Sequence, residues 1–195
     1  MDKTSNLLVD DLRLDVGAVV GLDVARSAPG HWVTLAVELA AWQIGATVSV
    51  DTPAAEVDLL VLGPDWRDAD LQGAEAVLAC SMHPMGLGFP EPLPAPVVDF
   101  ALEVRGQADV YPAAPRPGSE LAWVDGTRQL TQADLVAVRE PHRDGGSRRL
   151  VQVSDPWSST RDGLLVPILT EGSAVLVTGS DPARLDRIRQ DERVD

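Results

Sequence analysis

An acid, an indole ring and two hydroxyls follow closely on a strand-like run, RLVQVS at 149–154, and they belong to Asp155, Trp157, Ser158 and Thr160. In open α/β sheets, ligands bind outside the carboxyl ends of parallel strands. We therefore predict a ligand-binding site in which hydrogen bonds and ring contacts orient a small molecule. The structural alternative is that a serine at 158 or 159 caps the following helix while Trp157 covers its end.

Asp125 and Gly126 separate a strand-like run, ELAWV at 120–124, from a capped helix start near Thr131. Asp-Gly is a preferred pair in the tight turns of β-hairpins. The simplest prediction is a tight turn between two short strands. Because it places a carboxylate at the end of a strand, we add Asp125 to the predicted ligand-binding residues.

Cys80, Ser81 and His83 lie close together and could pair a nucleophile with a base. They lack the G-x-S-x-G turn and a third residue to orient the base. We predict that His83 stabilises its loop and that Cys80 is a small buried hydrophobe, and we predict no catalytic residue. The single cysteine and the scattered histidines, including His31 and His142, do not have zinc-site spacing, so no metal site is predicted.

Aliphatic, β-branched runs alternate with helical patterns along the chain, which indicates a mostly parallel sheet with flanking helices. The fold class is therefore α/β. In the helix predicted at 31–45, apolar residues recur at helical spacing and Gly45 follows as the ending residue, so Trp32 and Trp42 are assigned to the core. The predicted elements are a helix starting after Thr4 or Ser5, strands at 18–24, 46–51, 57–62, 75–80, 97–104, 149–154 and 173–179, a short helix at 65–73, and helices at 131–139, 158–169 and after Asp181.

A segment dense in proline, alanine and glycine, GQADVYPAAPRPGS at 106–119, is typical of a linker. We therefore predict a first α/β lobe at 1–105, the linker at 106–119, and a second, smaller α/β lobe at 120–195.

The composition excludes several partners. The formal net charge of −14 is opposed to binding nucleic acid or an anionic membrane, since both require a basic face. No apolar run approaches the roughly 18 residues of a membrane span. A single cysteine excludes an internal disulfide, and the N-terminus lacks the pattern of a secretory signal, so we expect a cytoplasmic protein.

Two stretches resemble the adenylate-forming superfamily of acyl-CoA synthetases and peptide-synthetase adenylation domains. Residues 6–51, NLLVDD to VSVD, are similar to its helix, strand, Trp-containing turn and apolar helix ending in Gly-Ala. Residues 162–195, DGLLVP to ERVD, are similar to its helix, Gly-Ala strand and Asp-Pro cap. Together they cover about 80 residues. The resemblance implies two flavodoxin-like lobes like the N-terminal subdomains of these enzymes, and it extends to small actinobacterial AMP-binding-like proteins.

The superfamily carries a phosphate loop of the form T-S-G-T-T-G-x-P-K-G between these landmarks, and this chain reads VDGTR at 124–128. A shortened turn with a carboxylate offers few N–H donors and repels phosphate. Losing two or three charge-assisted hydrogen bonds removes on the order of 3 to 9 kcal/mol of binding free energy. We therefore predict that the chain does not adenylate and uses no cofactor.

Other departures agree with this expectation. The chain ends at Asp195, before the adenine-binding, ribose-binding and catalytic-lysine segments that the resemblance would require. The position similar to the acyl-pocket histidine lies near Thr160 and is not histidine. The N-terminus lacks the hairpin that precedes the first helix in the superfamily, which indicates a shortened chain or a late gene start.

Three functions remain open at this stage. The first is a pseudoenzyme that binds a protein partner or a small acyl-type ligand, or that pairs as a homodimer. The second is a ligase component that retains acyl-CoA or nucleotide chemistry and works with a partner chain. The third is an unrelated flavodoxin-like regulatory domain.

Overall fold

A sheet of seven strands organises the protein in the computed structural model, which describes residues 1–138, 146–179 and 181–194. The strand order within these residues is β5-β4-β3-β1-β2-β6-β7, and β7 alone runs antiparallel to its neighbour. A second sheet pairs β8 with β9 in parallel. The strands are β1 (Val19–Leu22), β2 (Thr47–Ser49), β3 (Leu59–Leu62), β4 (Ala76–Ala79), β5 (Val97–Asp99), β6 (Leu121–Asp125), β7 (Arg128–Thr131), β8 (Arg148–Gln152) and β9 (Ser173–Val177).

Helices connect and cover these strands. They are α1 (Asp2–Asn6), α2 (Val24–Ser27), α3 (Trp32–Ile44), α4 (Phe100–Gly106), α5 (Gln132–Ala137), α6 (Pro156–Thr160), α7 (Val166–Leu169) and α8 (Pro182–Glu192). π-helical segments at Leu7–Asp11 and Arg161–Leu165 continue α1 and α6, and 3₁₀ turns lie at Ala54–Glu56 and Trp66–Asp68. The predicted α/β class, with a mostly parallel sheet and flanking helices, is confirmed.

Burial of both sheet faces explains the apolar strands. Leu59 and Val61 of β3 pack in one hydrophobic cluster, whereas Leu60 and Leu62 pack in another. Because successive side chains in a strand point to opposite faces, a strand covered on both sides needs apolar residues at every position. The four residues of β3 are accordingly all buried.

Helix α3 is capped at both ends and is bonded to β6 near its C-terminal end. His31 accepts the Val33 N–H at its start, and Gly45 ends it with φ +83°, a left-handed conformation that suits glycine. The Trp42 indole Nε1–H donates to the Ala122 carbonyl at 2.8 Å, which ties α3 to β6. The predicted glycine end and the buried position of Trp42 are confirmed.

Several predicted elements were wrong in detail. The strand predicted at 97–104 is β5 followed by α4, because Asp99 accepts the Ala101 N–H at 2.9 Å and caps a helix there. Trp32 is 49% exposed rather than part of the core, since it occupies the first position of α3. Thr4 and Ser5 are buried within α1, which starts earlier than predicted.

Residues 106–119 run back along α1 rather than away from the sheet. The Asn6 side-chain amide donates to the carbonyls of Ala108 and Val110 at 2.9 and 3.1 Å. The strands that follow this segment, β6 and β7, extend the first sheet through β2. The predicted division at 1–105, 106–119 and 120–195 stays a prediction, and the end expected at Arg139 for the helix after Thr131 lies outside the described residues.

Among the described residues, no helix combines the length and apolar character needed to cross a lipid bilayer.

The hydrogen bond from Trp42 to Ala122 predicts a stability effect. We expect Trp42→Phe to lower the free energy of unfolding by about 1–3 kcal/mol, because it removes the indole donor to the Ala122 carbonyl and leaves space in the core beside β6. The measurement is urea unfolding followed by circular dichroism. Trp32→Phe, at the half-exposed position in the same helix, is the control and should change stability much less; equal losses in the two variants would contradict this account.

Candidate functional site

A cavity of about 400 Å³ lies where the carboxyl ends of β2, β6 and β8 meet. Its lining comes from four segments of the chain: Arg26 and Pro29, Val50 and Asp51, the turn at 125–128, and residues 154–157. The structure therefore brings together three of the predicted site residues, Asp125, Asp155 and Trp157. Ser158 and Thr160 are not part of this lining.

A tight turn joins two short strands here, as the sequence predicts, but its two connecting residues are Gly126 and Thr127, and Asp125 ends β6 opposite Arg128. The backbone donors of this turn are already used. The Gly126 N–H donates to Asp51 Oδ2 at 2.8 Å, and the Thr127 N–H donates to Asp125 Oδ1 at 2.9 Å. The N–H groups of the turn are therefore bonded to carboxylates, whereas phosphate-binding turns present free N–H groups.

The Asp125 carboxylate is held by several donors. The indole Nε1–H of the fully buried Trp123 donates to Oδ2 at 3.0 Å, and the Arg128 guanidinium lies 2.6 Å from the same oxygen. Partial burial by itself would raise the pKa of this group, but the hydrogen bonds from Trp123, Thr127 and Arg128 outweigh it and hold the pKa well below its usual range. Asp125 is therefore a fixed negative charge at the cavity wall.

Trp157 forms the aromatic wall of the cavity. Its side chain is 8% exposed, and its ring centroid lies 5.3 Å from that of Trp123 at an interplanar angle of 54°. The Arg128 guanidinium carbon lies 5.7 Å from the Trp157 ring centroid, within cation–π range. Arg128 thus contacts both Asp125 and Trp157, which fixes one side of the cavity.

Asp155 caps helix α6, and Ser158 completes the cap. The Ser158 N–H donates to Asp155 Oδ1 at 3.0 Å, and the Ser158 hydroxyl accepts the Asp155 N–H at 3.4 Å. The expectation that a serine at 158 or 159 is the capping residue was wrong, because Asp155 is the residue that precedes the helix and its carboxylate accepts the N–H of the third helical residue, Ser158. Burial by itself would raise the pKa of Asp155, but hydrogen bonds from Ser158 and Ser154 keep this pKa below its usual value.

Charges around the cavity are unbalanced. Arg26 and Arg128 face the carboxylates of Asp51, Asp125 and Asp155. Arg26 Nη1 lies 3.7 Å from Asp51 Oδ1, and both side chains are more than half exposed, so this pair is weak. The excess of carboxylates disfavours a multiply charged anion as the ligand.

A smaller cavity of about 290 Å³ shares Arg26, Val50 and Asp51 with the first. It lies at the carboxyl ends of β1, β2 and β3, between β1 and β3, where the strand order changes direction. This is the switch point at which flavodoxin-like sheets bind ligands. The edge of the sheet therefore carries two adjoining cavities.

Behind Trp157, Thr160 bonds to a buried acid that the sequence prediction did not include among the functional residues. Glu38 in α3 is fully buried, and Thr160 Oγ1 lies 3.0 Å from both of its carboxyl oxygens. Burial raises the pKa of Glu38 to about 8, and the hydrogen bond from Thr160 opposes this only in part. A protonated Glu38 can donate to Thr160, which leaves the Thr160 hydroxyl free to donate to the Pro156 carbonyl at 2.9 Å.

The position of Glu38 carried a signal in the sequence. It is one of few polar residues in the middle of an apolar helix, and such a residue is buried when the helix is covered on more than one side. Its partner at position 160 could not be read from the sequence, because the two residues are 122 positions apart.

The other sequence candidates have structural roles. Burial raises the pKa of the Cys80 thiol to about 12, with a smaller contribution from Asp99, so this thiol is unreactive. His83 Nδ1 accepts the Met85 N–H at 3.1 Å, and the Ser81 hydroxyl donates to the Leu87 carbonyl. The predicted roles of Cys80 as a buried hydrophobe and His83 as a loop-stabilising residue are confirmed.

No family model matches the sequence. A relative in Mycobacterium tuberculosis (strain ATCC 25618 / H37Rv), described as a TIGR03089 family protein, is 31% identical over 201 residues. This match covers 98% of the present chain and 79% of the relative.

Solved structures share the fold of the chain. A Brucella canis acyl-CoA synthetase superposes with a TM-score of 0.72 at 19% identity and covers 99% of this chain. The N-terminal domain of FACL13 from Mycobacterium tuberculosis gives 0.69 at 12% identity over 99% of this chain, and ATP-bound MatB from Rhodopseudomonas palustris gives 0.65 at 18% over 96%. The chain spans 39%, 52% and 40% of these three structures, so it corresponds to about half their length or less.

These superpositions confirm the predicted likeness to the N-terminal subdomains of adenylate-forming enzymes.

The buried Glu38 predicts how stability depends on pH. Because its pKa is raised on folding, its contribution to stability is fully present below its usual pKa of 4.5 and is lost as pH rises to about 8. We expect Glu38→Gln to remove this contribution to the pH dependence, which amounts to at most about 1.4 kcal/mol per pH unit within that window. Urea unfolding measured at intervals from pH 5 to pH 8 tests it.

The exposed Glu103 provides the matched control. Glu103→Gln should show the same dependence of stability on pH as the unchanged protein. Glu38→Gln should lose less stability between pH 5 and pH 8 than the unchanged protein does. Parallel pH profiles for all three proteins would contradict the assignment of a neutral buried Glu38.

Proposed function

The chain belongs to the TIGR03089 family, and on this premise we propose that it is an AMP-binding-like protein that binds a small acyl-type ligand without activating it with ATP. It has the fold of the N-terminal domain of adenylate-forming enzymes. One observation carries the proposal: the turn between β6 and β7 has its N–H groups bonded to Asp51 and Asp125, next to a cavity with an aromatic wall.

Phosphate binding at this cavity is opposed by several features. Carboxylates outnumber guanidiniums in the lining, and Arg128 is already paired with Asp125. The sequence contains one lysine, Lys3, whose ammonium bonds to the Gln107 carbonyl instead. A triphosphate bound here would displace two carboxylates from the hairpin amides and gain few donors in return.

An acyl group fits the same cavity. Pro29, Val50, Pro156 and the face of Trp157 supply apolar walls. The volume of about 400 Å³ lies within the range of roughly 300–1,000 Å³ that is usual for small-molecule pockets. Arg26 retains N–H donors at the cavity rim, since its contacts with Asp51 and the Val50 carbonyl are at 3.7 and 3.5 Å. The ligand class that suits these walls is an uncharged acyl chain with a polar end.

A solved relative gives independent support for ligand binding by such a domain. An N-terminal domain of FACL13, similar in fold at 14% identity, has been solved with an inhibitor bound. In our proposal the present chain, which has the same fold, also binds a small ligand. We also propose a cytoplasmic location, consistent with a single buried cysteine.

The second candidate function is a ligase component that a partner chain completes. A retained ligase activity needs the phosphates of ATP to be held, and the hairpin amides would first have to be released from Asp51 and Asp125. The alternative of an unrelated flavodoxin-like regulatory domain has no support from the comparisons, because the likeness to acyl-CoA synthetases extends over nearly the whole chain.

The proposal is tested by thermal shift with magnesium-ATP, AMP, CoA and a matched pair of probes, hexanamide and hexanoate. We expect stabilisation by the uncharged probe and none by the nucleotides. A ligand at 100 times its Kd stabilises by about 2.7 kcal/mol. For a chain of this size that corresponds to a rise in Tm of roughly 5–10 °C.

A blocked variant locates the site. Thr127→Trp places a bulky ring at the cavity rim and should abolish the shift, whereas Gln129→Trp, on the same hairpin but outside the lining, should retain it. Stabilisation by magnesium-ATP, or pyrophosphate exchange above background, would overturn the proposal in favour of a ligase component.

A further inference from the structure

The second sheet is incomplete within the residues that the structure describes, because it consists of the parallel pair β8 and β9 alone. Parallel strands occur almost only in sheets whose faces are covered, and a two-stranded sheet is marginal by itself. The burial of β9 can be compared with that of β3, a strand inside the first sheet. All residues of β3 are buried, whereas Ala174, Val175 and Leu176 of β9 are only half-buried.

The backbone geometry identifies which groups of β9 face away from β8. The Ser173 N–H donates to the Ser147 carbonyl at 3.1 Å, and the Val177 carbonyl accepts the Val153 N–H at 3.0 Å. In a parallel pair, alternate residues direct both their N–H and C=O to the same side. Ala174 and Leu176 therefore direct their backbone donors and acceptors to the outer edge of β9.

The two outer edges of this sheet differ in how well their residues prevent pairing with a strand of another chain. β8 carries Arg148 and Arg149 on its strand, and Arg148 is paired with Glu192. β9 reads SAVLV and contains no charge and no proline. Charged residues and prolines are the usual means of preventing an edge strand from pairing with another chain, so the β9 edge is the one open to association.

The distribution of charge favours a second copy of this chain as the occupant. Residues 1–138 contain seven basic and twenty acidic residues, so most of this protein repels another copy. Residues 146–194 contain seven arginines and seven acidic residues and have no net charge. Helix α7, which contacts β9, also exposes Ile168 and Leu169. Two copies can therefore approach through this region without the repulsion that acts elsewhere.

We propose that two copies of the chain associate through antiparallel pairing of their β9 strands, forming a continuous four-stranded sheet about a two-fold axis at Val175. In this register Ala174 of one copy lies opposite Leu176 of the other, and the two residues exchange N–H···O bonds. Ser173 lies opposite Val177, so no like charges meet across the pair. This surface is separate from the cavity beside Trp157, and the inference does not depend on the proposed function.

Light scattering coupled to gel filtration, over a range of protein concentrations, tests the inference on the unchanged chain. A dimer is expected, with dissociation on dilution. Ala174→Pro removes an outward N–H while leaving the hydrogen bonds from Ser173 and Val175 to β8 in place. This variant should be a monomer with an unchanged circular dichroism spectrum.

Gln152→Pro is the matched control, because it removes an outward N–H from the free edge of β8 and should leave the dimer intact. Should Ala174→Pro fail to fold, amide hydrogen exchange of the unchanged chain decides the question. The Ala174 and Leu176 amides should then exchange at least about tenfold more slowly at high protein concentration than at low, as amides buried in a dissociable interface do.

A monomer at every concentration would overturn the inference. So would a folded Ala174→Pro variant that remains dimeric, or exchange at Ala174 and Leu176 that does not depend on concentration.

Discussion

The parallel pairing of β6 with β2 places Asp51 beside the hairpin turn of the candidate site. It aligns Val48 with Trp123 and Ser49 with Val124, so that Asp51 and the hairpin turn emerge from the same edge of the sheet. The Asp51 carboxylate can then bond to the Gly126 N–H. Trp42 reinforces this pairing from α3 through its bond to the Ala122 carbonyl. Without the pairing, Asp51 would not lie beside the turn, and the cavity would lose the part of its lining that Val50 and Asp51 form.

Carboxylates in two different environments surround the site. Asp125 accepts hydrogen bonds from an indole, a hydroxyl and a guanidinium and stays charged, whereas Glu38 lies in an apolar helix, is bonded to Thr160 and has its pKa raised to about 8 by burial, so it is neutral near pH 7. The same functional group is thus a fixed charge at the cavity wall and a hydrogen-bond donor behind it. Both arrangements restrain Trp157, because Arg128 contacts its ring and Thr160 belongs to its helix.

The fold of the N-terminal domain of adenylate-forming enzymes is present here, and two carboxylates are bonded to the N–H groups of its β6–β7 turn. A scaffold that places turns at the carboxyl ends of its strands can bind phosphate through free N–H groups or can occupy those groups with its own acids. In this chain the acids occupy them, which leaves apolar walls and a single loosely held arginine as the groups available to a ligand. The excess negative charge is also the reason why the proposed self-association uses the balanced region around β9.

The sequence by itself determined the α/β class, the strands between 19 and 79, the glycine end of α3 and the start of α8 at Asp181, because these depend on local periodicity and on residues adjacent in the chain. It also indicated the Asp-Gly turn and the neighbourhood of Asp155 and Trp157 as parts of a site. Asp99 shows the limit of such reasoning: an apolar run predicted a strand, and one capping carboxylate converted its second half into a helix. Only the tertiary structure decided that Asp51 occupies the Gly126 amide, that Glu38 meets Thr160, and that β8 and β9 stand apart from the first sheet. Each of these depends on strand order or on contacts between distant segments, and local sequence patterns do not encode which strands become neighbours.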